Sequence, residues 1–247
     1  ICADGTLNVT DKASGRTLRG LHYFEDGSDV GDPWSRRVAK KERIVTTVGA
    51  RAKVECIEDG ELAASFRITV PLTIPRRASS DGLKRSNEKT RILIVSTVSL
   101  TRDSGRIEIE TVFDNTARDH RLRVMFPSGI GTNVSHAESQ FDVVSRAIAL
   151  PDCTGWKEPA PATHPQLNFV DVGNGKVGLA ILNRGLPEYE VADDRKRTIA
   201  ITLLRTHRFP LPSANPDIRV EHPFESGGQC LGIQKSCYAI YPHRGDW

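Results

Sequence analysis

The sequence has little that would nominate a partner at first sight. It has no charge of one sign to spare, since 34 Lys and Arg against 31 Asp and Glu leave a formal charge of +3 over 247 residues. The clustered basic excess of a nucleic-acid binder and the acidic tail of a basic-partner binder are both absent. No apolar run approaches the roughly 20 residues that cross a bilayer, the longest uncharged β-rich stretch being Ile92 to Thr101. The expectation is therefore a soluble chain with neither nucleic acid nor membrane as partner. Five cysteines, Cys2, Cys56, Cys153, Cys230 and Cys237, are odd in number and form no C-x-x-C pair. They read as reduced, mostly buried thiols of a cytoplasmic protein rather than as a disulfide framework. The basic, apolar and small-residue succession of a signal peptide is missing. Ile1 in place of Met, and the stop at Trp247, make the chain read as a fragment of something longer.

Helical patterning is also missing. No window carries an i, i+3, i+4, i+7 apolar stripe with caps over three turns, so helices should be few and short. Period-two alternation is what the sequence does have. In Arg106 to Phe113, residues 107, 109 and 113 share an apolar face opposite Glu108 and Glu110. In His120 to Phe126, Leu122, Val124 and Phe126 lie opposite Arg121 and Arg123. The two segments read as a hairpin with glutamates facing arginines. Similar strands are expected at 43–48, 53–57, 65–72, 91–100, 140–144, 177–182, 198–204 and 237–241. Three stretches read otherwise: 76–91 as a loop or extended hairpin tip, 153–166 as an irregular connection with Pro159, Pro161 and Pro165, and 207–229 as a long proline-bearing loop. So many antiparallel strands call for stacked sheets, a sandwich larger than an immunoglobulin domain.

Catalytic signatures are scarce. There is no G-x-G-x-x-G, Walker loop or G-x-S-x-G elbow, and seven histidines stand singly with no H-E-x-x-H or H-x-D pair to cage a metal. Four local features stand out. The run Phe24 to Trp34 sets four carboxylates and two glycines before an aromatic; acidic groups beside an aromatic plate suit a sugar, and an Asp/Gly-rich turn satisfying its own backbone fits equally. The run Asn115 to Val124 feeds a turn into a strand with Arg121 and Arg123 on one face, either ligand-facing or merely solvated. The others are Gly185 to Glu190, followed by a strand ending in Arg205, and Tyr238 to His243.

Taken in order, these features resemble the C-terminal β-region of glycoside hydrolase family 38, the α-mannosidases, and especially its bacterial mannosylglycerate-hydrolase-like branch. The run before Trp34 resembles the family's E-D-x-G-D-x-G-D-x-[YW] segment. Asn115 to Pro127 resembles its N-x-A-x-D-H-R-L-R-V-x-F-P signature, the longest and most specific of the matches. Gln140 to Arg146, Trp156, Phe169 to Val172, Gly178 to Ile181, Gly185 to Glu190, Leu203 to Thr206, Gly228 to Cys230 and Tyr238 to His243 keep the family's order of landmarks. The resemblance spans about Gly5 to Trp247.

The resemblance implies an all-β fold, a large antiparallel supersandwich similar to the galactose-mutarotase architecture, forming a single domain over residues 1–247. It implies a fragment of a retaining α-mannosidase whose zinc ligands and Asp nucleophile lie in an N-terminal catalytic domain, ahead of a helical bundle, neither of which is in this sequence. No catalytic residue, metal ligand or cofactor is then expected here, zinc belonging to the full-length enzyme. The expected partners are the chain's own catalytic domain and a mannose-containing carbohydrate, and homo-oligomers are common in the family. By position in the motif order, Asp29, Asp32, Trp34 and Arg205 are expected as rim contacts to the sugar. Trp34 stands where tyrosine is commoner, which keeps stacking and forfeits a hydroxyl. Asp119, His120 and Arg121 are expected to hold the turn and the domain interface. Two other readings stay open: a stand-alone carbohydrate-binding module with Trp34 as its platform, and an aldose-epimerase-type enzyme using a His and a Glu.

Overall fold

The structure is a computed structural model that describes residues 1–209 and 225–247. Its strands are β1 (Leu7–Asp11), β2 (Arg16–Leu21), β3 (Tyr23–Ser28), β4 (Val45–Thr46), β5 (Lys53–Asp59), β6 (Ala63–Pro75), β7 (Lys89–Thr101), β8 (Ile107–Asn115), β9 (His120–Pro127), β10 (Val134–Glu138), β11 (Val143–Ala147), β12 (Thr163–Pro165), β13 (Phe169–Gly173), β14 (Val177–Arg184), β15 (Glu188–Val191), β16 (Thr198–Arg205) and β17 (Gly232–Arg244). A short 3-10 turn, Glu225–Gln229, precedes β17. The strands form a nine-stranded sheet in the order β11-β10-β13-β14-β17-β8-β7-β6-β5, a six-stranded sheet β12-β15-β16-β9-β3-β4, and the ribbon β1-β2. Every strand pair is antiparallel.

The inward residues of both large sheets make one core. Ile68, Val70, Leu72, Ile92, Ile94, Ile109 and Phe113 of the larger sheet join Phe24, Leu122, Val124, Phe126, Ile199 and Ile201 of the smaller. This is the stacked arrangement that period-two patterning demands, each strand giving alternate side chains to the shared interior. The 76–88 segment joins β6 to β7 as an extended tip, with a bridge between Ala78 and Arg85. The proline-rich middle of the 207–229 connection, with Pro210, Pro212, Pro216 and Pro223, lies outside the described residues. Among the described residues no helix is long and apolar enough to cross a membrane. The five thiols are free but not buried: Cys56 and Cys230 are exposed and the other three are partly so.

The strand expected at 43–48 shortens to Val45–Thr46, residues 163–165 of the connection expected to be irregular form β12 against β15, and two further strand expectations need correction. The β8–β9 hairpin does not form, because β8 pairs with β7 and β17 in one sheet while β9 pairs with β3 and β16 in the other. Residues 116–119 carry the chain from sheet to sheet, and the charges find other partners. Glu108 pairs with Arg106 and Glu110 with Lys235, while Arg121 and Arg123 face Glu188, Glu190 and Glu25. The strand expected at 140–144 begins only at Val143, since Ser139 to Asp142 form a turn in which Phe141 has φ +74°.

One polar chain crosses the apolar interior. His22, at φ +66° just before β3, shares a 2.9 Å hydrogen bond between its Nε2 and the Tyr238 hydroxyl. That hydroxyl lies 2.6 Å from Thr111 Oγ1, which lies 2.9 Å from Ser96 Oγ. His22 belongs to the smaller sheet's side and the other three to β17, β8 and β7, so the chain fastens one sheet to the other. Burial pushes the His22 imidazole down to about 3, because no carboxylate offsets the loss of water around a charged ring.

The unfolded chain therefore binds a proton at His22 that the folded chain refuses between about pH 6.5 and 3. Stability from this group is complete above pH 6.5 and falls as pH drops through that window, on the order of 1 kcal/mol per pH unit. Urea denaturation at pH 7.5, 6.0 and 5.0 should show this slope, and His22→Phe should flatten it whatever the variant's absolute stability.

Candidate functional site

The acidic run before Trp34 is split by strand geometry into two functions. Glu25 and Asp26 are neighbours on β3 and so point to opposite faces. Glu25 turns outward, with Arg123 Nη2 donating to it at 2.5 Å. Asp26 turns inward and is fully buried, where it accepts from Arg85 and faces His120 Nδ1 at 2.5 Å. The other His120 ring nitrogen lies 3.0 Å from Asn115 Oδ1. Asn115 Nδ2 donates to the carbonyls of Gln229 and Cys230, which fixes its amide so that the oxygen faces the imidazole.

Beyond β3 the chain folds back on itself as a loop. Asp29 is buried; its Oδ1 accepts from Gly31 N at 3.0 Å and its Oδ2 accepts from Arg205 Nε at 2.6 Å. Burial raises the Asp29 carboxyl against the opposing pull of Arg205. Asp32 Oδ1 accepts from Trp34 N at 3.0 Å and Ser35 N at 2.8 Å, an Asx turn that aims the following residue. Gly31 is required here by space, since a Cβ would lie 2.0 Å from Ser35 O. Trp34, at the tip, is 68% exposed.

Arg205 reaches this loop because of a bulge. Opposite β9, Thr202 pairs with Arg123 but Leu204 pairs with Leu122 and Arg205 with Arg121. The extra residue reverses the alternation, turning Leu204 into the core and Arg205 outward. Its three nitrogens then donate to Asp29 Oδ2, to the Pro33 carbonyl at 3.0 Å and to the Asp32 carbonyl at 2.6 Å. The structure thus brings Asp29, Asp32, Trp34 and Arg205 together, with three of them gripping the loop and Trp34 outermost. A groove of about 740 Å³ runs beside them, lined by Trp34, Arg36, Lys157, His164, Glu188 and Arg205 among others.

Asp119 has φ +54° at the corner between the sheets. Its Oδ2 accepts from Arg208 at 2.7 Å and from Ala78 N at 3.2 Å. Its Oδ1 accepts from Gln229 Nε2 at 3.0 Å, and its own N–H donates to Gln229 Oε1 at 2.9 Å. Its carbonyl accepts from Asp29 N at 2.9 Å, at the base of the Trp34 loop. Arg121 lies on the outer face of β9, donating to Thr163 Oγ1 at 3.1 Å and Glu188 at 3.3 Å. Burial, with Arg123 and Arg36 nearby, pulls its guanidinium down to about 10. Sequence reasoning gave no role to Arg36, Arg85, Arg208 or Gln229; Gln229 falls within the Gly228 to Cys230 landmark, and the three arginines carry no local pattern. Asp26 did carry a signal, a charged residue in the inward register of Phe24.

This arrangement can be set beside known proteins. The Glycosyl hydrolases family 38 C-terminal domain matches residues 1–213. The chain belongs to that family. A relative named "Putative mannosylglycerate hydrolase" from Halalkalibacterium halodurans is 29% identical over 265 residues, covering 98% of this chain and 27% of the relative. Among solved structures, an alpha-mannosidase from Enterococcus faecalis V583 superposes with a TM-score of 0.88 at 28% identity, over 99% of this chain and 28% of that one. A second protein from Enterococcus faecalis, described as belonging to Glycosyl Hydrolase Family 38, gives 0.85 at 27% identity, over 99% of this chain and 29% of that one. The chain therefore spans between 27% and 29% of the length of these relatives.

Asp119→Ala should cost about 3 kcal/mol, because it strands buried donors and leaves Arg208 unpaired. Asp119→Asn tolerates the same positive φ and should recover part of that loss. Urea midpoints of the two variants check this; equal stability of Asp119→Ala and wild type would show that the corner is not held by this side chain.

Proposed function

We propose that the chain is the C-terminal β-domain of a retaining, zinc-dependent α-mannosidase acting on terminal α-mannosides, one continuous domain over residues 1–247 that is catalytically incomplete by itself. The observation that carries this reading is the family match, which extends over most of the chain while the relatives are more than three times longer. Those relatives are named for glycoside hydrolysis, and retention needs two carboxylates about 5–5.5 Å apart with a clear path to the sugar. The carboxylates beside the groove do not supply such a pair, because all but Glu158 are committed elsewhere. Asp29 is engaged by Arg205 and Gly31, Asp32 caps its own turn, and Glu188 is taken by Arg121 and Thr202.

The same test applies to zinc. Among the described residues no three His, Cys, Asp or Glu side chains group to hold a metal ion, so these residues do not fit it. In this reading zinc and the nucleophile belong to the part of the enzyme that the relatives have and this chain does not span. This domain supplies the rim. Trp34 offers an exposed ring on which the C–H face of a sugar can stack, while Asp29, Asp32 and Arg205 hold the loop that presents it. Asp119, His120 and Arg121 act as positioning residues between that loop and the contact with the catalytic half. Exposure of Trp34 also favours the second reading, a binding module working alone.

The 247-residue chain alone should release no product from an aryl α-mannoside, while the full-length enzyme should release α-mannose first, as read by NMR. In the full-length enzyme Trp34→Ala should lower kcat/KM about fivefold, the size of a lost stacking contact. Turnover by the isolated chain would overturn the division of labour. Calorimetric binding of mannose to the isolated chain, lost in Trp34→Ala, would favour the stand-alone module.

A further inference from the structure

The outward face of the larger sheet, turned away from the smaller sheet that carries the Trp34 loop, holds a buried carboxylate. Asp171 on β13 lies between the core residues Val170 and Val172 and so points outward, yet it is 1% exposed. Its Oδ1 accepts from His243 Nε2 at 2.7 Å, and its Oδ2 is buried without a partner. Among the described residues no Lys or Arg pairs with it, so His243 is the group in contact that can set a positive charge against it.

His243 reaches Asp171 from two strands away. β17 pairs with β14 and β14 with β13, so the imidazole must pass over β14 to arrive. Gly178, the register partner of His243, allows the passage, since a Cβ there would lie 2.0 Å from Nε2. Tyr241, on the same face of β17, stacks on the His243 ring with centroids 5.9 Å apart and planes 13° apart. On the far side of Asp171 its register partner His136, on β10, lies 5.7 Å from the Trp247 ring. The backbone is weakly held here, because Pro242 brings no N–H to the ladder with β14. Past the ladder, Gly245 N donates to the Lys176 carbonyl at 3.1 Å.

We infer that the contact between Asp171 and His243 is a proton-operated latch, closed when His243 is charged, that holds the end of β17 and the run to Trp247 against β13. It stands apart from the Trp34 groove and does not rest on the sugar reading. The hydrogen bond to Asp171 raises the His243 imidazole above its ordinary 6.5, against the partial burial that would lower it. The charged pair is therefore complete below pH 6.5 and is lost as pH rises through the raised value. Above that value Asp171 keeps at most a neutral donor, and a buried carboxylate without a counter-ion is costly. The surroundings offer little substitute. β14 presents Gly178 and Ala180 to the ring, Lys176 in the turn before it gives its carbonyl, and Glu108 on β8 is paired with Arg106. Asp246 favours the charged ring, and Arg244 acts on Asp11. His136, whose Nδ1 is buried without a partner, is the competing histidine.

Hydrogen exchange of the full-length protein, read by mass spectrometry at pH 6.0, 7.0 and 8.5 and corrected for intrinsic exchange, tests the latch. Protection of a peptide spanning 239–247 should fall about fivefold over this range, while one spanning 92–98 in β7 stays constant. His243→Gln, which keeps a donor without a titrating charge, should flatten the dependence. Asp171→Asn should flatten it as well, and either variant suffices if the other does not fold. Protection of 239–247 that is independent of pH in wild type overturns the latch. A dependence that survives in the folded variants, or that only His136→Gln removes, overturns it too.

Discussion

The corner at Asp119 is the constraint on which the arrangement of the site depends. Four residues, 116–119, take the chain from β8 in one sheet to β9 in the other, and so short a connection across a sandwich allows few backbone paths. Asp119 adopts the left-handed conformation needed there and stays buried because its carboxylate, N–H and carbonyl all find partners. Those partners come from the 76–88 tip, the segment after β16, the turn before β17 and the Trp34 loop. One buried residue, through its carboxylate and its backbone, thereby fixes the relative positions of four segments far apart in sequence. The inward face of β9 repeats the theme one residue later: His120 is held between Asp26 and Asn115, and its backbone pairs with Thr206.

Charge is distributed on one principle across the smaller sheet. Wherever a guanidinium is taken out of water, a carboxylate is taken out with it, since an unpaired buried charge costs several kcal/mol. Arg85 with Asp26, Arg205 with Asp29, and Arg121 and Arg123 with Glu188, Glu190 and Glu25 all obey. The net charge of +3 conceals this because it averages over pairs that cancel. Arg36 makes no direct ion pair among the described residues but lies in the field of Asp29, Glu42 and Glu190.

Much of the fold was legible because period-two alternation is a local property. Leu122, Val124 and Phe126 point inward and Arg121 and Arg123 outward, as their spacing requires. Pairing partners were not legible, for a physical reason. Glu108 and Glu110 could complement Arg121 and Arg123, but each finds an equally good counter-ion elsewhere, so charge complementarity does not select a neighbour. β3 was obscured because its acidic residues read as a turn, although the Phe24 and Asp26 register is that of a strand. The grouping of Asp29, Asp32, Trp34 and Arg205 was suggested by resemblance rather than by pattern. The bulge at Leu203 that turns Arg205 toward the loop has no signature in the residues themselves.

The same geometry suits the rim role proposed for the Trp34 loop, which spends its polar groups on itself. A loop whose carboxylates were left open to the sugar would have to reorder when it binds, and that ordering cost would be subtracted from affinity. Here Asp32 fixes the Trp34 backbone, Asp29 closes the base, and Arg205 reaches across from β16 to hold both through a side chain and two carbonyls. The indole is then presented by a mount already ordered without ligand. In the proposed role, recognition falls to the group that the mount leaves uncommitted, an exposed ring for the apolar face of a sugar. A domain can contribute specificity in this way without holding a nucleophile, a proton donor or a metal.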